Sequence, residues 1–105
     1  MRDYRRLAED FARYLKAKYG DRIERIILFG SVARGDYRED SDVDLIVVGQ
    51  GNRLALQGEL AADSVRLLLE TSVLVTPMVF TGEEMGRVDG TLFGRAVASE
   101  GIVLA

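Results

Sequence analysis

Two short apolar runs constrain this chain more than any other feature. Ile23–Phe29 and residues 43–48 are rich in β-branched side chains, and each is closed by a glycine, Gly30 and Gly49. Runs of this length and composition between turn residues read as strands. Residues 73–80 form a third such run with Pro77 inside it. Proline cannot donate to a ladder, so this strand is expected at a sheet edge or with a bulge near its end.

Helical patterns surround the strands. Tyr4, Leu7, Ala8, Phe11, Tyr14, Leu15 and Lys18 recur at i, i+3, i+4 and i+7, with Arg2, Arg6, Glu9, Arg13 and Lys16 opposite, and Gly20 suits the left-handed residue that ends a helix. The basic side of this helix is interleaved with Asp3, Glu9 and Asp10, as on a solvated face. A polar, Gly-bearing connection is expected from Gly49 to Gly58, then a helix of about a dozen residues ending near Glu70. Thr81-Gly-Glu-Glu84 has the spacing of a capping box and opens a short helix. A further helix around Leu92, Phe93, Ala96 and Val97 and a short strand at 102–104 complete the order. The fold class is therefore α+β, a small mixed β-sheet flanked by helices, with residues 1–105 as a single domain.

Composition removes much chemistry. The 105 residues include no Cys and no His. Disulfide scaffolds, thiol nucleophiles, imidazole bases and thiolate or imidazole metal sites are excluded. No uninterrupted apolar run exceeds four residues, whereas a bilayer span needs roughly 20. No membrane association and a cytoplasmic location are the default expectations. Charge is divided: residues 1–38 carry ten Lys/Arg against six Asp/Glu, and residues 39–105 carry four against eleven. That split argues against autonomous nucleic-acid binding.

The stretch that carries chemistry runs from Gly30 to Leu45. After the first strand, Gly30-Ser31 opens one or two turns of helix, whose unpaired N–H groups and hydroxyl suit a phosphate. Asp42 and Asp44 stand two apart at the mouth of the second strand, so the strand period puts both carboxylates on one face with Val43 turned into the core. Paired carboxylates are hard ligands for Mg²⁺ or Mn²⁺ alongside substrate phosphates. Asp36, Glu39 and Asp40 read as a polar loop, and Tyr37 is the one tyrosine placed to touch a ligand.

Gly30-Ser31, ten residues, then Asp42-x-Asp44 resembles the signature of the DNA polymerase β-like nucleotidyltransferase superfamily. In a chain of this length the four-residue pattern arises by chance on the order of once in a thousand. Leu28-Phe29, Ala33-Arg34-Gly35, Ser41 and residues 45–48 extend the match, and residues 92–104 resemble the end of minimal, single-domain members. The resemblance implies a polymerase β palm-like fold and transfer of a nucleoside monophosphate from an NTP, ATP foremost, to an acceptor hydroxyl with loss of pyrophosphate. Carried over, Gly30, Ser31 and Arg34 would bind phosphates, and Asp42 and Asp44 would be the catalytic metal ligands. Small members resemble antitoxins paired with all-helical HEPN proteins, which implies a protein partner of that kind or a homodimer. The alternative is a non-catalytic nucleotide-binding or antitoxin-like interaction protein. It is motivated by one departure: active members usually supply a third carboxylate from a neighbouring strand, and residues 73–80 contain no Asp or Glu.

Overall fold

The computed structural model describes residues 3–38 and 41–105. Helix α1, Tyr4–Tyr19, is capped at its start by the Asp3 side chain and ends at Gly20, whose positive φ of 55° favours glycine while its ψ of −126° departs from the left-handed helical conformation expected there. A turn of 3₁₀ helix, Gly20–Arg22, leads into β1, Ile23–Phe29. Next come α2 (Ser31–Arg34), β2 (Val43–Gly49), α3 (Arg53–Thr71), β3 (Val75–Thr81), α4 (Gly82–Val88), α5 (Leu92–Glu100) and β4 (Ile102–Val103). Four strands make one sheet in the order β3-β2-β1-β4. β1 runs antiparallel to β2 and β4, while β2 and β3 are parallel, so the sheet is mixed as expected.

Alternation along β1 and β2 divides the interior into two layers. Ile26, Leu28, Val43, Leu45 and Val47 pack with Phe11, Leu15, Leu56 and Leu60, which places α1 and α3 on one face. Ile27, Ile46 and Val48 pack with Met85 and Val97, which places α4 and α5 on the other. Both faces of β2 are therefore covered, and its apolar run is continuous for that reason.

Two elements depart most from the bounds expected of them. Helix α3 begins at Arg53, not beyond Gly58, because the Asn52 side chain accepts the Ala55 N–H at 3.0 Å and caps the helix there. A good cap offsets much of the roughly 1 kcal/mol that an interior glycine costs. Strand β3 starts two residues late and runs through Thr81, because α3 closes on Ser72 in the left-handed region (φ 63°) and Val73-Leu74 carry the chain back to the sheet. The capping box at Thr81 forms as expected, with Thr81 accepting the Glu84 N–H and Glu84 accepting the Thr81 N–H.

Candidate functional site

The site forms where β1 ends and β2 begins. Phe29 is paired with Asp44 across the antiparallel ladder, so the turn that follows Phe29 is delivered directly beside the Asp44 carboxylate. Gly30 has φ 80°, a conformation that disfavours any side chain. A Cβ at this position would lie 2.5 Å from Asp44 Oδ2. The turn thus requires glycine twice over, for its backbone and for the closeness of the carboxylate. As the N-cap of α2, Gly30 offers no side-chain oxygen to the first turn, which Ser31 begins.

Val43 is fully buried in the α1/α3 layer, and alternation along β2 carries Asp44 to the other side, while Asp42, exposed just before the strand, lies close enough for its charge to act on Asp44. Asp44 is half-buried, and its carboxyl is pushed above the usual carboxylate range chiefly by that burial. The negative charge of Asp42 adds to the rise, and Arg34 offsets part of it. No hydrogen bond or salt bridge within the described residues ties either carboxylate. Two like charges held together with free oxygen lone pairs, beside a cradle that a Cβ would fill, fit a divalent cation. Among the described residues no third carboxylate joins them. In the β2–β3 register the position beside Asp44 belongs to Thr76.

The sequence places this chain among known proteins. The profile of the nucleotidyltransferase domain family matches residues 8–90. The chain belongs to that family. A candidate protein adenylyltransferase of Methanocaldococcus jannaschii is 39% identical over 97 residues, covering 91% of this chain and 92% of the relative. A second from the same organism is 35% identical over 75 residues, covering 70% of this chain and 76% of the relative. Among solved structures, a toxin–antitoxin crystallised with AMP-PNP superposes with a TM-score of 0.64 at 22% identity, covering 92% of this chain and 72% of that one. A candidate nucleotidyltransferase from Sulfolobus solfataricus gives 0.53 at 23% identity, covering 93% and 76%. The fold of this nucleotidyltransferase domain is thus a shared one.

Of the expected site residues, Gly30 lies against Asp44, Asp42 is near enough for its charge to act on Asp44, and Ser31 follows Gly30 as the first residue of α2. Arg34 lies at their edge, where its guanidinium meets Asp36 at 3.3 Å and Glu100 at 3.5 Å. Tyr37 packs instead on Tyr4, ring centroids 5.1 Å apart, in the α1/α3 layer. The loop assignment of Glu39 and Asp40 lies outside the described residues. Glu70 lines a groove of about 550 Å³ between α1 and α3, on the sheet face opposite Asp44. Glu83 pairs with Arg87 on the surface of α4. Sequence reasoning missed Glu100 and Phe93. Phe93 stands edge-on to Phe29 at 5.7 Å, beside the strand end that carries the site. Both come from α5, about sixty residues beyond the motif, and no local spacing announces them. No helix among the described residues is long and apolar enough to cross a membrane.

Proposed function

We propose that this nucleotidyltransferase domain transfers an adenylyl group from ATP to a hydroxyl on a protein partner. The observation that carries the reading is the closeness of Gly30 to Asp44: a phosphate-compatible turn opens within contact of an untied carboxylate pair. The first turn of α2 and the Ser31 hydroxyl would take phosphate oxygens, and Arg34 at the rim would add positive charge to the nucleotide. Asp42 and Asp44 would hold Mg²⁺ or Mn²⁺, which when bound neutralises phosphate charge and stabilises the attacking and leaving oxygens of an in-line displacement. The acceptor oxygen bonds to the α-phosphorus, the bond to the β-phosphate breaks, and pyrophosphate departs while the acceptor proton passes to solvent. Such a step rests on positioning and charge neutralisation, so a chain without His loses nothing by the lack. A protein acceptor accords with the names of the Methanocaldococcus relatives, and a HEPN-type helical partner accords with the toxin–antitoxin neighbour.

Thr76 in the position beside Asp44 favours a second reading, an antitoxin-like protein that binds nucleotide and partner without turnover. One experiment separates them. The chain, alone and with its co-purified partner, is incubated with ATP labelled at the α-phosphate, or with CTP, GTP or UTP, and with Mg²⁺ or Mn²⁺. Label on protein that falls at least about 100-fold in Asp44→Asn, Asp42→Asn and Gly30→Ala supports transfer. Complex formation unchanged in Asp44→Asn, with no label under any condition, supports the second reading.

A further inference from the structure

Helix α3 presents two apolar faces. One is buried on the sheet through Leu56 and Leu60. On the other, Leu54 is 71%, Val65 55% and Leu69 80% exposed, and Gly58, Ala61 and Ala62 between them are exposed as well. At 3.6 residues per turn these six fall within an arc of about 100°, and no charged residue interrupts it. Contiguous apolar surface of this kind marks an interface.

We infer that this face pairs with its counterpart on a second copy of the chain, the two α3 helices crossing antiparallel about a two-fold axis between Ala61 and Ala62. The spacing itself is self-complementary. Residues 54 and 69, 58 and 65, and 61 and 62 are each symmetric about that midpoint, so Leu54 of one copy meets Leu69 of the other. Val65 falls into the space above Gly58, and the alanines at the centre let the helices approach to about 8 Å. A two-fold interface demands this matching of a patch with itself. Charge agrees with the same register. Glu59 and Arg66 lie on one flank of the stripe, and the two-fold axis sets Arg66 of one copy two residues, about 3 Å of helix rise, from the level of Glu59 of the other, a gap an arginine side chain spans. Within one copy each already has a partner, Arg22 for Glu59 at 2.8 Å and Asp63 for Arg66 at 3.4 Å, so the contact extends existing pairs. A helix of 19 residues is about 28 Å long and buries less than the roughly 1,200 Å² of a standard interface, which makes the dimer weak.

Sedimentation between about 5 and 200 μM therefore shows mass rising from one chain to two, and Val65→Glu, on an exposed position, remains one chain throughout with unchanged circular dichroism. Because the chain contains no Cys, single cysteines report the register without background. Ala61→Cys lies about 5 Å from its own counterpart and cross-links on mild oxidation. Leu54→Cys is about 22 Å from its counterpart and does not, yet a mixture of Leu54→Cys and Leu69→Cys does. A chain that stays single at about 200 μM, which would leave the stripe to an unlike partner, overturns the inference. So does a dimer indifferent to Val65→Glu, or efficient self-linking of Leu54→Cys, the mark of a parallel pair.

Discussion

Asp44 sits where burial and Asp42 both oppose its charge, and nothing in the described structure compensates it fully. A carboxylate kept in such a place lowers the stability of the fold that holds it. Its pKa is raised in the folded state, so the associated stability is present in acid and lost as pH rises through the raised value. Asp44→Asn should therefore raise the Tm at neutral pH by up to about 5 °C while abolishing transfer, and the gain should vanish in acid. Differential scanning calorimetry across pH checks this; a lower Tm at neutral pH would contradict it. Glu84 is the opposite case. The Thr81 N–H donates to it at 2.8 Å, and this bond first, with Arg53 nearby, holds its carboxyl below the usual glutamate range. Its contribution is present above that range and fades as pH falls through the lowered pKa. The Thr81 amide shift followed by NMR should titrate with a midpoint below that of an ordinary, unpaired glutamate.

At the level of elements, the exposed edge of the sheet is guarded by one side chain. Pro77 occupies the edge strand β3, as its missing N–H requires. The Gln57 carboxamide of α3 donates to the Pro77 carbonyl at 2.8 Å and accepts the Val79 N–H at 2.9 Å, completing the outer edge as a neighbouring strand would. Gln57→Leu leaves both backbone groups without their partner and should cost about 1–3 kcal/mol in urea unfolding. Amide exchange at Val79 should quicken before that of β1. Equal exchange in the two proteins would show that the edge does not depend on Gln57.

Across the whole molecule, α1 and α3 are joined by a polar lock that no spacing in either helix reveals. Asp63 is buried on α3, accepts the Tyr19 hydroxyl at 2.5 Å, and pairs with Lys18 at 2.7 Å, forty-five residues away in sequence. Asp63→Ala leaves the buried tyrosine hydroxyl without its acceptor and should lower stability by about 2 kcal/mol, read as a lower urea midpoint at unchanged slope. The folded layer architecture should survive, since the apolar contacts of Leu15, Leu56 and Leu60 remain.

What the sequence determined by itself was local. Strand composition, the Gly20 stop and the Thr81 capping box each act over a few residues, and each marks its element in the structure to within two residues. Strong caps decide helix limits, and the Asn52 cap starts α3 ahead of Gly58, a residue that by itself marks a loop. Tertiary structure alone decided which side chains from distant segments meet: Thr76 beside Asp44, Glu100 on Arg34, Tyr37 on Tyr4, and Asp63 under Lys18 and Tyr19. Strand order and helix docking set those meetings by burying apolar faces, a non-directional force that leaves no motif at the residues it brings together.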